Sequence, residues 1–124
     1  MSVVECAAVY PMTIMLLMGS VIMGLGVFRY QQLQALAREG ARYASVHGPT
    51  YASENSQSMA STSTVLTYVQ GLAVGLGGLQ CTSVSYSASS LPCTVSVTLS
   101  YTWNPEGFFS STTWTVTSTM PVTY

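Results

Sequence analysis

Lysine and aspartate are absent from this chain, and histidine occurs once, at His47. Three arginines and four glutamates supply every charge on 124 residues, for a formal net charge of -1. Such a balance cannot neutralise a run of phosphates, which excludes a nucleic-acid partner. Without aspartate there is no residue to orient a Ser–His pair. One histidine and three cysteines fall short of the usual His/Cys metal sets. The glutamates are scattered, and their spacing indicates no acid/base pair. The stretch "GLAVGLGGLQ" is glycine-rich, but no Lys-Ser/Thr follows and no strand leads into it, so it is a poor phosphate loop. The composition therefore points to no catalytic residue, no metal site and no cofactor. Asn-x-Ser/Thr sites are missing too, since Asn55 precedes Ser-Gln and Asn104 precedes Pro.

What is present begins with "MSVVECAAVYPMTIMLLMGSVIMGLGVF", residues 1–28. From Cys6 to Phe28 no residue is charged, which satisfies the roughly 20 apolar residues a membrane-spanning helix needs. A core helix of a soluble domain would show a polar face, and this run has none. A signal peptide is the competing reading, but it would carry a basic front and a shorter apolar region. Here the front holds Glu5. The pattern continues helically through "RYQQLQALAREGARYASVHG" until Gly48-Pro49, predicting one helix from about Ser2 to Val46, ~65–70 Å long at 1.5 Å per residue. Pro11, Gly19, Gly24 and Gly26 are points where it can bend, loosen or allow close approach.

Residues 50–60 read as a polar loop. Val65, Leu66, Val69, Leu72 and Ala73 then recur at helical spacing, predicting a short second helix that ends in the Gly75–Gly78 cluster. After it the period becomes two. In "TVSVTLSYTW" and "TTWTVTSTM" apolar residues alternate with Ser and Thr, as in half-buried strands; a weaker strand runs over Thr82–Ser87, and "NPEGFF" is a turn-rich connection. The expected class is α+β: a long hydrophobic helical stem, a short helix and a small C-terminal antiparallel sheet that needs a helical cover. The division is residues 1–48 as stem and extended helix, and 49–124 as a small extracellular head whose surface is hydrated by hydroxyls and could accept O-linked sugars.

Cys6 reads as a small apolar helix residue. Cys81 and Cys93 flank a Ser-rich loop. In an exported domain with a thin core they would form a disulfide, contributing roughly 3 kcal/mol by loop entropy; in a reducing compartment they would be two free thiols. His47 fits a helix end, favourable to the dipole when charged.

Glu5 carries the most information. An ionised carboxylate in hydrocarbon is unfavourable by several kcal/mol and is usually paired or functional. No Arg or Lys is near it in sequence, which leaves an amino terminus, its own or a neighbour's. Pairing with a neighbour would fix the register between adjacent helices. Alternatively Glu5 sits at the level of the lipid headgroups, where it costs little.

An apolar helix with Glu at its fifth position resembles the stem of type IV pilins and pseudopilins. "LQALAREGARYASVHG" is similar to the helix-end segment of TadE-like proteins, the pseudopilins of tight-adherence (Tad) pili, and the alternating strands of "TVSVTLSYTWNPEGFF…TSTMPV" resemble their tail. The resemblance implies a basic leader removed by a prepilin peptidase, leaving Met1 as an often methylated amino terminus and Glu5 as the residue that recruits and registers subunits. It implies a homo-polymeric helical filament, built by the pilus assembly machinery from subunits held in the inner membrane and then displayed at the cell surface for adhesion. Members are commonly minor components beside a shorter major pilin, so a priming or tip role stays open, as does a single-pass anchored binding protein that never polymerises. Within the helix-end motif, Glu39 and Arg42 form a three-residue helical pair, a few tenths of a kcal/mol at most, while Arg38 and Arg42 repel. Either these charges are a solvated helix face, or one arginine has a partner on the head or on another subunit.

Overall fold

A computed structural model describes residues 3–105 and 110–123. Three helices precede three strands: α1 (Val3–Val46), α2 (Pro49–Asn55), α3 (Thr62–Leu72), β1 (Gln80–Tyr86), β2 (Thr94–Trp103) and β3 (Thr112–Pro121). The strands form one antiparallel sheet in the order β1-β2-β3. This is the α+β layout that the change of hydrophobic period predicts, with one helix more. The connection read as a polar loop opens with α2, because Pro49 starts a helix as readily as it ends one. Its missing N–H is one that a first helical turn leaves unpaired in any case, and Pro49 occupies that first turn. Of "NPEGFF", residues 106–109 lie outside the described residues.

α1 is continuous through Pro11, Gly19, Gly24 and Gly26, and it has two different halves. Its apolar window is only 6% buried at a mean hydropathy of 1.9, and large side chains from Val3 to Phe28 are exposed. From Gly26 onward the helix turns a seam of mostly small residues inward: Leu33, Ala37, Gly40, Ala41 and Ala44. Small residues let helix and sheet approach closely. A Cβ built on Gly40 would stand 3.1 Å from Val69 Cγ2 and 3.3 Å from Val65 Cγ1. The seam therefore seats both α3, whose Val65 and Val69 are fully buried, and the central strand, whose inward residues Val95, Val97, Leu99 and Tyr101 fill the core.

The opposite face of the sheet is a lattice of hydroxyls. Thr82 donates to Ser100 at 3.1 Å, and the pairs Ser96–Thr119, Thr98–Thr117 and Thr102–Thr113 each lie within 2.9–3.1 Å. Such cross-strand pairs reinforce the ladder. Ser61 precedes α3, and its hydroxyl accepts from the Thr64 N–H at 3.4 Å and caps the first turn.

The expected Cys81–Cys93 disulfide does not form. Both thiols are free and buried. In the β1–β2 register Cys81 faces Leu99, which lies six residues beyond Cys93 along the chain. That offset is about 20 Å at 3.4 Å per residue, whereas a bridge needs Cα atoms within about 7 Å. The two cysteines sit at opposite ends of one hairpin.

Candidate functional site

The residues singled out in the sequence fall into three groups along α1. At its start, Glu5 lies in the first turn and is exposed. The unpaired N–H groups of a helix start favour a carboxylate there. Met1 lies outside the described residues.

Along the bare half, a shallow groove of about 690 Å³ is lined by Ala7, Tyr10, Pro11, Ile14, Met15, Met18, Gly19 and Ile22. Steps of three and four residues keep these positions on one helix face. Gly19 and Gly24 meet nothing within 4 Å, whereas a Cβ on Gly26 would stand 3.0 Å from Trp103 Cη2 and Cζ3. Gly26 is thus a seat for the head's indole. Above the groove a second cleft of about 340 Å³ is lined by Met18, Ile22, Leu25 and Arg29 on the helix and by Trp103, Asn104 and Pro105 on the head.

That junction is the part of the site that sequence reading missed. Arg29 donates from Nη1 to the Tyr101 hydroxyl at 2.8 Å. Trp114 meets Tyr30 edge-on with ring centroids 5.8 Å apart, and it lies 5.1 Å from Trp103. The visible signal was Arg29 and Tyr30 directly after the apolar run, together with the only two tryptophans of the chain on inward strand positions.

In the helix-end motif, Arg38 and Arg42 are exposed and Glu39 is half-buried. The head contact falls to the glutamate rather than to an arginine: Tyr68 of α3 donates to Glu39 Oε1 at 3.2 Å. This bond to the carboxylate, aided by burial and by the negative charge itself, raises the Tyr68 hydroxyl above its ordinary value. Tyr43 stacks on Tyr68 on one side (4.4 Å) and on His47 on the other (4.1 Å). His47 keeps a helix-end role, its Nδ1 lying 2.9 Å from the Tyr43 carbonyl. Burial pushes the Cys81 thiol up, which makes it a poor nucleophile. Among the described residues no three His, Cys, Asp or Glu side chains stand close enough to share a metal ion.

The arrangement can hold a helix against an apolar environment and hold a head rigidly on that helix. No match was found among curated proteins or among solved structures. A family model described as TadE-like protein does match, over residues 1–42, a stretch that takes in Glu5, the groove, Arg29 and the helix-end motif. Over that stem the chain is similar to TadE-like proteins, a likeness that suggests a structural protein associated with the Tad pilus.

Proposed function

We propose that the chain is a structural subunit of a type IV pilus-like, Tad-type filament that polymerises through its stem, with Glu5 setting the register between neighbours. The supporting observation is the bare half of α1: an apolar helix, 6% buried over its most hydrophobic window, with a carboxylate in its first turn and a TadE-like match along its length. Before assembly the stem resides in the inner membrane and the head lies outside it. A prepilin peptidase and the pilus machinery then process and extract the subunit. Stems associate through close packing along the groove face while in lipid. Once out of lipid they gain roughly 25 cal/mol for each Å² of apolar surface buried. The heads form the outer layer of a surface filament. A processed amino terminus on an adjacent stem is the cation that Glu5 meets.

The test is expression beside Tad assembly machinery, with fibres imaged by cryo-electron microscopy. Side-chain density should place Glu5 against a neighbouring stem. Glu5→Gln should abolish or strongly reduce fibres at unchanged membrane levels, while Glu5→Asp retains some. Fibres that form equally with Glu5→Gln would remove the register role. Occurrence of the chain only at fibre tips would make it a minor pseudopilin. Membrane-bound particles without fibres under any condition would leave a single-pass anchored binding protein.

A further inference from the structure

Trp103, Trp114 and Tyr30 form a half-exposed aromatic cluster at the lower end of the head, and Trp103 rests on Gly26, inside the uncharged run that ends at Phe28. From Val3 to Gly26 the helix rises about 35 Å at 1.5 Å per residue, slightly more than the roughly 30 Å hydrocarbon layer it would cross. If the bare half of α1 fills that layer, the indoles stand at its outer boundary. Tyr and Trp concentrate at that depth, where one edge of the ring is apolar and the other wet. Among the described residues, Arg29, one turn above Gly26, is the charge closest to this boundary on the head side.

We infer that the lower end of the head is a membrane-interface anchor: Trp103, Trp114 and Tyr30 sit in the glycerol and upper acyl region of the bilayer, and Arg29 lies level with the lipid phosphates. The occupant of this surface before assembly is lipid. The cluster is continuous with the exposed apolar helix beneath it, and its one cation matches the anionic phosphate layer. The contact fixes insertion depth, and extraction of a subunit must break it together with the stem's own contacts. The inference rests on the reading that the stem spans the membrane, and it concerns the stage before polymerisation.

The chain's own fluorescence reports the site, because both of its tryptophans belong to it. Full-length protein is reconstituted into phosphatidylcholine vesicles carrying bromine either near the glycerol end or near the methyl end of the acyl chains. The expected result is a blue-shifted emission, with a large loss of intensity under shallow bromine and little under deep bromine. Trp103→Phe and Trp114→Phe, each leaving one reporter, should show the same depth order. A separate reporter, Leu17→Trp in a chain carrying both Phe substitutions, reads the stem and should be quenched by deep bromine. Native tryptophans unquenched at either depth while the Leu17→Trp reporter is quenched would overturn the anchor and leave the spanning stem intact. Blue-shifted but unquenched native emission would mean that a second protein copy covers the cluster, and would also overturn it. No quenching of either reporter would remove the spanning stem and the anchor together.

Discussion

The hydroxyl of Tyr86, at the end of β1, donates to the carbonyl oxygen of Ala44 at 3.0 Å and lies 3.3 Å from that of His47. The last carbonyls of a long helix have no partner within the helix, and here the sheet supplies one. The Ala60 and Thr123 N–H groups donate to the His47 and Ser45 carbonyls at 3.1 and 3.3 Å, so the upper end of α1 is tied both to the loop before α3 and to the segment that follows β3.

Tyr86→Phe removes this tie without changing the ring. The expected cost is about 1–3 kcal/mol, the range for leaving a buried acceptor short of a donor, read as a lowered midpoint in thermal unfolding of the detergent-solubilised protein. Burial pushes the Tyr86 hydroxyl up to about 12. Folding therefore favours the protonated form, and its contribution is complete below about pH 10 and lost as pH rises through about 12. Alkaline unfolding should be steeper in that window for the native chain than for Tyr86→Phe.

Glycines along α1 should respond differently to substitution. Gly40→Ala gains about 1 kcal/mol of helix propensity but places a methyl 3.1 Å from Val69. Overpacking of that kind typically costs about 1–3 kcal/mol, so the net effect is neutral to destabilising, and Gly40→Leu should prevent α3 from docking. Gly24→Ala meets open space and should leave the head's unfolding midpoint unchanged. Circular dichroism melts of the set separate the two cases.

Cys81 and Cys93 should behave as buried thiols. Reductant should leave the melting temperature and the non-reducing gel mobility unchanged. Ellman's reagent should label both only when the head is unfolded, with Cys6 outside that pattern because it sits on the half-exposed stem. A mass-spectrometric Cys81–Cys93 cross-link in native protein would contradict the hairpin register.

The Tyr68–Glu39 bond can be read by titration. Glu39→Gln removes the acceptor that chiefly raises Tyr68, so the Tyr68 hydroxyl should ionise at lower pH, nearer the ordinary value of 10.0. Ultraviolet titration of the native chain against Glu39→Gln and Tyr68→Phe isolates that one phenol among eight. The stability cost of either change should be small, because the pair is screened by solvent.

The elements most legible in the sequence were those with a strict period. Val95, Val97, Leu99 and Tyr101 alternate with hydroxyls, and the structure buries every one of them. The unbroken helix followed from a pattern without a stop before Gly48. What the sequence hid was pairing between distant segments. Spacing between Cys81 and Cys93 says nothing about which hairpin position each occupies, and the register separates them. Pro49 ended one helix in the sequence reading and starts another in the fold, because both roles need only a missing N–H. Gly26 was read as a point of flexibility or packing; its seating of Trp103 required knowing that β2 descends toward the apolar end of α1. Glu39, not a neighbouring arginine, met the head because α3 brings a tyrosine to that side of the helix.

Since α1 passes without a break from its bare half into the seam beneath the sheet, the molecule has no tether between stem and head. Tension applied at one end enters the head at Gly26 and spreads over contacts as far as Ser45, about 29 Å of helix at 1.5 Å per residue. A pull along the axis must shear that whole seam at once, so the sheet moves with the helix as one stiff rod and no leash stretches between them.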